Sequence, residues 1–181
     1  MSKQEFQATT AEDWTRSDQY HNSFLHTKDD VLDAALEKSA VNGLPEIAVS
    51  AAQGKFLNLL VSSIGAKKIL EVGTLGGYST IWLARALPGD GELITLELDE
   101  KHARVARENI ERAGLASKVK LILGPAHDSM LQLKPETPFD LIFIDADKKG
   151  NLSYFIEAKR LVRKGGVIVR ILPSVIRSLK C

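Results

Sequence analysis

The stretch Ile69-Leu70-Glu71-Val72-Gly73-Thr74-Leu75-Gly76-Gly77-Tyr78-Ser79 decides the fold of this chain. It begins as an apolar strand, passes through a glycine turn and enters a helix. Open parallel sheets hold nucleotide-type ligands with such a unit, because glycine lets the backbone approach the ligand closely. Glu71, at the strand's end, adds a carboxylate that the usual dinucleotide fingerprint does not have. A second block, Phe139-Asp140-Leu141-Ile142-Phe143-Ile144-Asp145-Ala146-Asp147-Lys148, sets two aspartates and a lysine just beyond another apolar run. Open α/β sheets place their chemistry at that end of a strand.

Outward from these blocks the pattern alternates. Short apolar runs between turn signals predict strands over 68–72, 92–97, 118–123, 139–144 and 166–171, with helices in the gaps. A helix over 100–113 has Asp99 as its N-cap and Gly114 as its stop. Another over 151–163 ends at Arg163-Lys164 ahead of Gly165-Gly166, with cations where the helix dipole favours them. Upstream, Thr27 to Asp30 resembles a capping box for a helix through Val41. Ser50 and Gln53 have the same spacing for the next helix, whose Phe56, Leu57, Leu60 and Ile64 form an apolar stripe. Right-handed crossovers then give an α/β fold with a doubly wound, mostly parallel open sheet of Rossmann-like type. Residues 1–26 read as a flexible arm with Trp14, Tyr20 and Phe24 as docking anchors, 27–169 as the domain, and 170–181 as an atypical tail.

A chain of 181 residues that is 44% hydrophobic and 26% charged suits one globular domain. Its 24 lysines and arginines nearly cancel 23 aspartates and glutamates, so no net field draws it to nucleic acid or to an anionic membrane. Neither is an expected partner. Cys181, the one cysteine, excludes an intramolecular disulfide and a multi-cysteine zinc site. A reducing cytoplasm is the expected location, since no apolar stretch has signal-peptide or membrane-span length. His21, His26, His102 and His127 show no metal spacing, and His127 is expected to face water, with an adenine contact as the alternative. Arg104, Arg107, Glu108, Glu111 and Arg112 read as a solvated helix face.

Several short matches occur in order along roughly residues 30 to 169. They are Ala48-Val49-Ser50 with Gln53-Gly54, Glu71-Val72-Gly73-Thr74 with Gly77-Tyr78-Ser79, and Leu96-Glu97-Leu98-Asp99. Gly124-Pro125-Ala126, Asp145-Ala146-Asp147-Lys148 and Gly165-Gly166-Val167-Ile168 follow. In this ordered set the chain resembles the metal-dependent, S-adenosylmethionine-using O-methyltransferases that include catechol and caffeoyl-coenzyme A O-methyltransferases. The resemblance implies a class I methyltransferase fold, S-adenosylmethionine as cofactor, a small phenolic acceptor and a homodimer.

The resemblance also implies roles for single residues. Glu97 would accept both ribose hydroxyls in charge-assisted hydrogen bonds of about 1.5–3 kcal/mol each. Glu71 and Ser79 would hold the methionine end, and Gly73 and Thr74 would line the backbone side. Val49 and Ala126 would be packing or backbone contacts, and Asp147 a further polar contact. Asp145 would be a magnesium ligand and Lys148 the general base. A magnesium ion would bind two adjacent aromatic hydroxyls and lower the pKa of one. Lys148 would take that proton, and the oxyanion would attack the sulfonium methyl in line. The plainer reading of Asp145, Asp147, Lys148 and Lys149 is a solvated cluster capping the helix that begins near Asn151.

The family pattern places an Asp-Asn pair of metal ligands directly after the strand that starts at Gly166. Here Ile171 and Leu172 stand in those positions, and neither offers magnesium the oxygen it demands. The family also continues with another helix and two strands that complete the sheet, where this chain has Ser174 to Cys181. The fold is therefore expected to lack those elements, with the fifth strand as an edge that invites self-association. Residues up to 169 point to an O-methyltransferase, and residues 170 to 181 to an altered, catalytically impaired S-adenosylmethionine binder. An NAD-dependent oxidoreductase is the third reading, opposed by Glu71 and by the Asp-Ala-Asp-Lys block.

Overall fold

The computed structural model describes residues 10–25 and 27–171. Strands β1 (Lys68–Val72), β2 (Glu92–Glu97), β3 (Val119–Leu123), β4 (Phe139–Ile144) and β5 (Val162–Arg170) form one parallel sheet in the order β3-β2-β1-β4-β5. Helices α1 (Ala11–Leu25), α2 (Asp30–Val41) and α3 (Ala51–Ser63) precede the sheet. The helices α4 (Tyr78–Ala86), α5 (Glu100–Arg112), α6 (Ala126–Gln132) and α7 (Asn151–Leu161) connect its strands.

Continuous apolar runs in β1 and β4 reflect a sheet covered on both faces. Ile69, Leu93, Leu141 and Phe143 pack on one face with Leu57 and Val61 of α3 and Ile81 and Leu83 of α4. Leu70, Val72, Ile142 and Ile144 pack on the other with Met130 of α6 and Tyr154, Ala158 and Leu161 of α7. The strand order reverses between β1 and β4, and Val72 pairs with Ile144 at the carboxyl ends. The loops leaving these two strands therefore start side by side, where open sheets bind their ligands.

Most expected elements are present, and four differ. The N-cap of α2 is Asp29 rather than Thr27, its carboxylate accepting from the amides of Val31 at 3.2 Å and Leu32 at 3.1 Å. Its helix starts at Asp30. The helix expected over 151–163 stops at Leu161, because Arg163 donates through Nε to Asp140 of β4 at 2.7 Å and draws residues 162–164 into the sheet. Gly165, at φ +75°, sits in an irregularity of that strand instead of stopping a helix. Residues 11–25 of the expected flexible arm form a helix. Thr10 and Asp13 cap it reciprocally, with Thr10 N–H on Asp13 at 3.0 Å and Asp13 N–H on Thr10 at 3.2 Å. Trp14, Tyr20 and Phe24 stand exposed on α1.

The capping boxes and stops read elsewhere hold. Ser50 and Gln53 exchange both hydrogen bonds, Asp99 caps α5, and Gly114 ends it at φ +71°. The atypical tail beyond Ile171, with Leu172 and Cys181, lies outside the described residues, as does His26. Among the described residues β5 pairs only with β4, so it is a sheet edge, and no helix is long and apolar enough to cross a membrane.

Candidate functional site

Between β1 and α4 the chain turns through three left-handed residues, Gly73 at φ +97°, Leu75 at φ +51° and Gly77 at φ +82°. Glycine adopts such angles freely, and a leucine there carries strain of the kind that concentrates at ligand sites. The turn also needs glycine for space. A Cβ on Gly73 would strike the carbonyl oxygen of Asp145, on the loop after β4.

Glu97 ends β2 with 8% of its surface exposed, and its carboxylate holds the turn. One oxygen accepts from the amides of Thr74 at 3.2 Å and Leu75 at 2.8 Å, and the other from those of Leu98 and Asp99, both at 2.9 Å. A carboxylate offers about four acceptor positions. All four are engaged, so a ribose would have to share or displace them.

Glu71 has no exposed surface. It accepts from Ser79 at 2.6 Å, Thr80 at 2.5 Å and Thr95 at 2.7 Å. Burial pushes its pKa up to about 7 against the pull of these three hydroxyls, and the like charge of Asp145 adds to the rise. Glu71, expected at the methionine end, is thus fully buried beside the turn and fastened by hydroxyls of α4 and β2. Ser79 donates to Glu71, which leaves its own oxygen lone pairs available as acceptors. Thr80 and Thr95 were missed in the sequence. A threonine amid Leu93-Ile94-Thr95-Leu96 was the available signal for the latter.

On the opposite loop, burial raises the Asp145 carboxyl. Asp147 accepts from the Tyr154 hydroxyl at 2.6 Å and the Gly150 amide at 2.8 Å. The Tyr154 bond, then the Gly150 bond, holds its carboxyl below the usual range. Burial first, then Asp147, pushes the Tyr154 hydroxyl up to about 12. Asp147 thus closes its own loop ahead of α7 while its side chain stays exposed at the surface. Lys148 is exposed.

A magnesium site does not fit these residues. Among the described residues no three histidine, cysteine or acidic side chains are grouped to hold a metal ion. Ile171, in one of the expected ligand positions, is apolar and donates its amide to Ile144 at 3.2 Å.

Val49 is buried among the core residues beneath α3, and Ala126 packs beside Met130 at the start of α6. His127, expected to face water, has a buried Nδ1 with no hydrogen-bond partner among the described residues.

A protein-family model described as O-methyltransferase matches residues 22–171. The chain is 53% identical over 152 residues to a catechol O-methyltransferase of Mycobacterium tuberculosis, covering 84% of this chain and 69% of the relative. It is 55% identical over 154 residues to one of Niastella koreensis, covering 84% and 70%. The crystal structure of the O-methyltransferase from Bacillus cereus in complex with SAH superposes with a TM-score of 0.85 at 52% identity, covering 88% of this chain and 73% of that one.

Proposed function

The chain belongs to the O-methyltransferase family, and from that premise we propose that it moves the methyl group of S-adenosylmethionine to a hydroxyl of a catechol-type phenol. One observation carries this reading: at the reversal of strand order, the glycine turn after β1 abuts the Asp145 loop after β4, with Glu97 of β2 fastened beneath the turn. The Bacillus cereus relative holds the demethylated cofactor in the same fold, and the names of the relatives supply the acceptor class.

In this reading Glu97 orients the ribose by exchanging one or two of its four amide bonds for hydroxyls. Ser79 and the Gly73-Thr74 backbone receive the methionine end, with Glu71 fixing Ser79 from behind. Val49 and Ala126 contribute packing. Lys148, on the rim, takes the acceptor's proton, and the phenolate oxygen attacks the sulfonium carbon in line. Opposite charges cancel in that step, so a dry, well-oriented site favours it. Magnesium is the metal of the resembling family, but among the described residues no group of ligating side chains accompanies Asp145, and no step here runs through a metal. A homodimer, formed along the β5 edge that is unpaired among the described residues, is the assembly such an edge favours.

A second reading, cofactor binding with little transfer, rests on the apolar Ile171 where the family pattern has an oxygen ligand. Calorimetry with S-adenosylhomocysteine and with NAD, followed by a methyl-transfer assay on catechol, separates the readings. Binding plus transfer supports the first, binding without transfer the second, and a preference for NAD overturns both.

A further inference from the structure

Two hydrogen-bond networks support the glycine turn, one around Glu97 and one around Glu71, and Thr74 belongs to both. Its amide donates to Glu97 at 3.2 Å. Its hydroxyl lies 2.6 Å from the hydroxyl of Thr95, which donates to Glu71 at 2.7 Å. Thr95 is fully buried in the middle of β2, so it can touch no ligand.

We propose that Thr95 is the positioning residue of the cofactor turn, its one hydroxyl proton setting the direction of the chain Glu71, Thr95, Thr74 and so coupling the protonation of Glu71 to the hold on the turn. The inference rests on the reading of that turn as the S-adenosylmethionine site. A hydroxyl carries one proton, which fixes the bookkeeping. With Glu71 ionised, Thr95 donates to Glu71 and accepts from Thr74. With a proton on Glu71 directed at Thr95, Thr95 donates its hydrogen bond to Thr74, and Thr74 turns its own O–H to donate to the carbonyl of Leu96. That carbonyl stands 3.2 Å from the Thr74 hydroxyl, so the acceptor for the reversed chain is already in place.

The surroundings make the switch accessible. Glu71 meets Ser79 and Thr80 of α4 and Thr95 of β2 as donors, all of them neutral hydroxyls. The charge acting on it is that of Asp145, on the loop after β4, which disfavours ionisation. A buried carboxyl satisfied only by hydroxyls can hold or release its proton without breaking an ion pair. A valine at position 95 keeps the shape and removes the link, taking one donor from Glu71 and the anchor from Thr74.

The test is the affinity for S-adenosylhomocysteine, measured by calorimetry across pH 7 for wild type, Thr95→Val and Thr95→Ser. Wild-type affinity should rise as pH climbs through the titration of Glu71, at about 7. Thr95→Val should bind about tenfold more weakly and show its midpoint at higher pH, and Thr95→Ser should restore both. Thr95→Cys, a weaker donor, takes the place of valine if that variant does not fold. A Thr95→Val protein whose affinity and pH profile match wild type overturns the inference alone. Wild-type protein that binds no S-adenosylhomocysteine overturns the cofactor reading and the inference together.

Discussion

Gly73 and Asp145 meet backbone to backbone: a Cβ on Gly73 would collide with the Asp145 carbonyl oxygen, and the Asp145 amide donates to Val72 at 2.9 Å. The two loops that carry the candidate site therefore move as one unit, and a change in either is felt in the other.

Gly73→Ala should weaken S-adenosylhomocysteine binding by at least tenfold and lower stability by roughly 1–3 kcal/mol, because alanine is strained at φ +97° and has no room. Gly65→Ala is the comparison. Gly65 also has a positive φ of +60° but meets nothing within 4 Å, so its alanine should cost about 1 kcal/mol and leave binding unchanged. Urea unfolding and calorimetry check both, and equal binding losses in the two variants would refute the close-approach argument.

Asp29 caps α2 and also receives Arg85 of α4 at 2.5 and 3.3 Å, which ties the first packed helix to the helix after the glycine turn. Asp29→Ala should destabilise by about 1–2 kcal/mol, mostly through the lost cap. Asp29→Asn, which keeps the cap, should cost under about 1 kcal/mol, since the pair is partly exposed. The Arg85 guanidinium holds the Asp29 carboxyl below its ordinary range. Its stabilisation is thus present above the ordinary carboxylate range and is lost as pH falls through the lowered value. Unfolding midpoints that rank the two variants the other way would contradict the cap as the main contribution.

Burial raises Glu71 from about 4.5 to about 7, and the sign of its effect on stability follows. Across that window the folded protein keeps a proton that the unfolded chain has released, so stability falls as pH rises and levels off above 7. The drop is of order 3 kcal/mol at most. Asp145, also raised by burial, acts with the same sign, so Glu71→Gln should reduce the slope between about pH 4.5 and 7 without abolishing it. The lowered carboxyls Asp29, Asp140 and Asp147 titrate below the window. Urea midpoints taken across the window check this, and an unchanged slope in the variant would assign it to another group.

The sheet was legible because its strands are covered on both faces and read as unbroken apolar runs, as in Leu141-Ile142-Phe143-Ile144. The glycine turn was legible because its positive φ at Gly73 and Gly77 demands glycine. Local pattern failed where a distant partner decides. Arg163 looks like a helix-ending cation until Asp140, 23 positions earlier, is seen to bind it. Nor does local pattern show the partners of Glu71, since only the tertiary structure brings Thr95, 24 positions away, against it. Helix α1 was hidden by its low hydrophobicity, since its cap at Thr10 and Asp13 accompanies no apolar stripe.

The last prediction concerns magnesium. It requires near-octahedral oxygen ligation and gives up its waters reluctantly, so a single carboxylate does not hold it at ordinary concentrations. Asp145 has no partner group of metal-ligating side chains among the described residues, and Ile171 is apolar. Methyl transfer to catechol by this chain should therefore respond little to magnesium or to a chelator, and S-adenosylhomocysteine binding should be unaffected by either. Replacing Arg170 onward with a Val-Asp-Asn continuation from the family pattern should raise magnesium-dependent turnover. Asp145→Ala and Lys148→Ala should then abolish that gain, the first by removing a ligand and the second by removing the base. Robust magnesium-dependent turnover by the unaltered chain would contradict the argument and would mean that oxygen ligands reach Asp145 from another subunit.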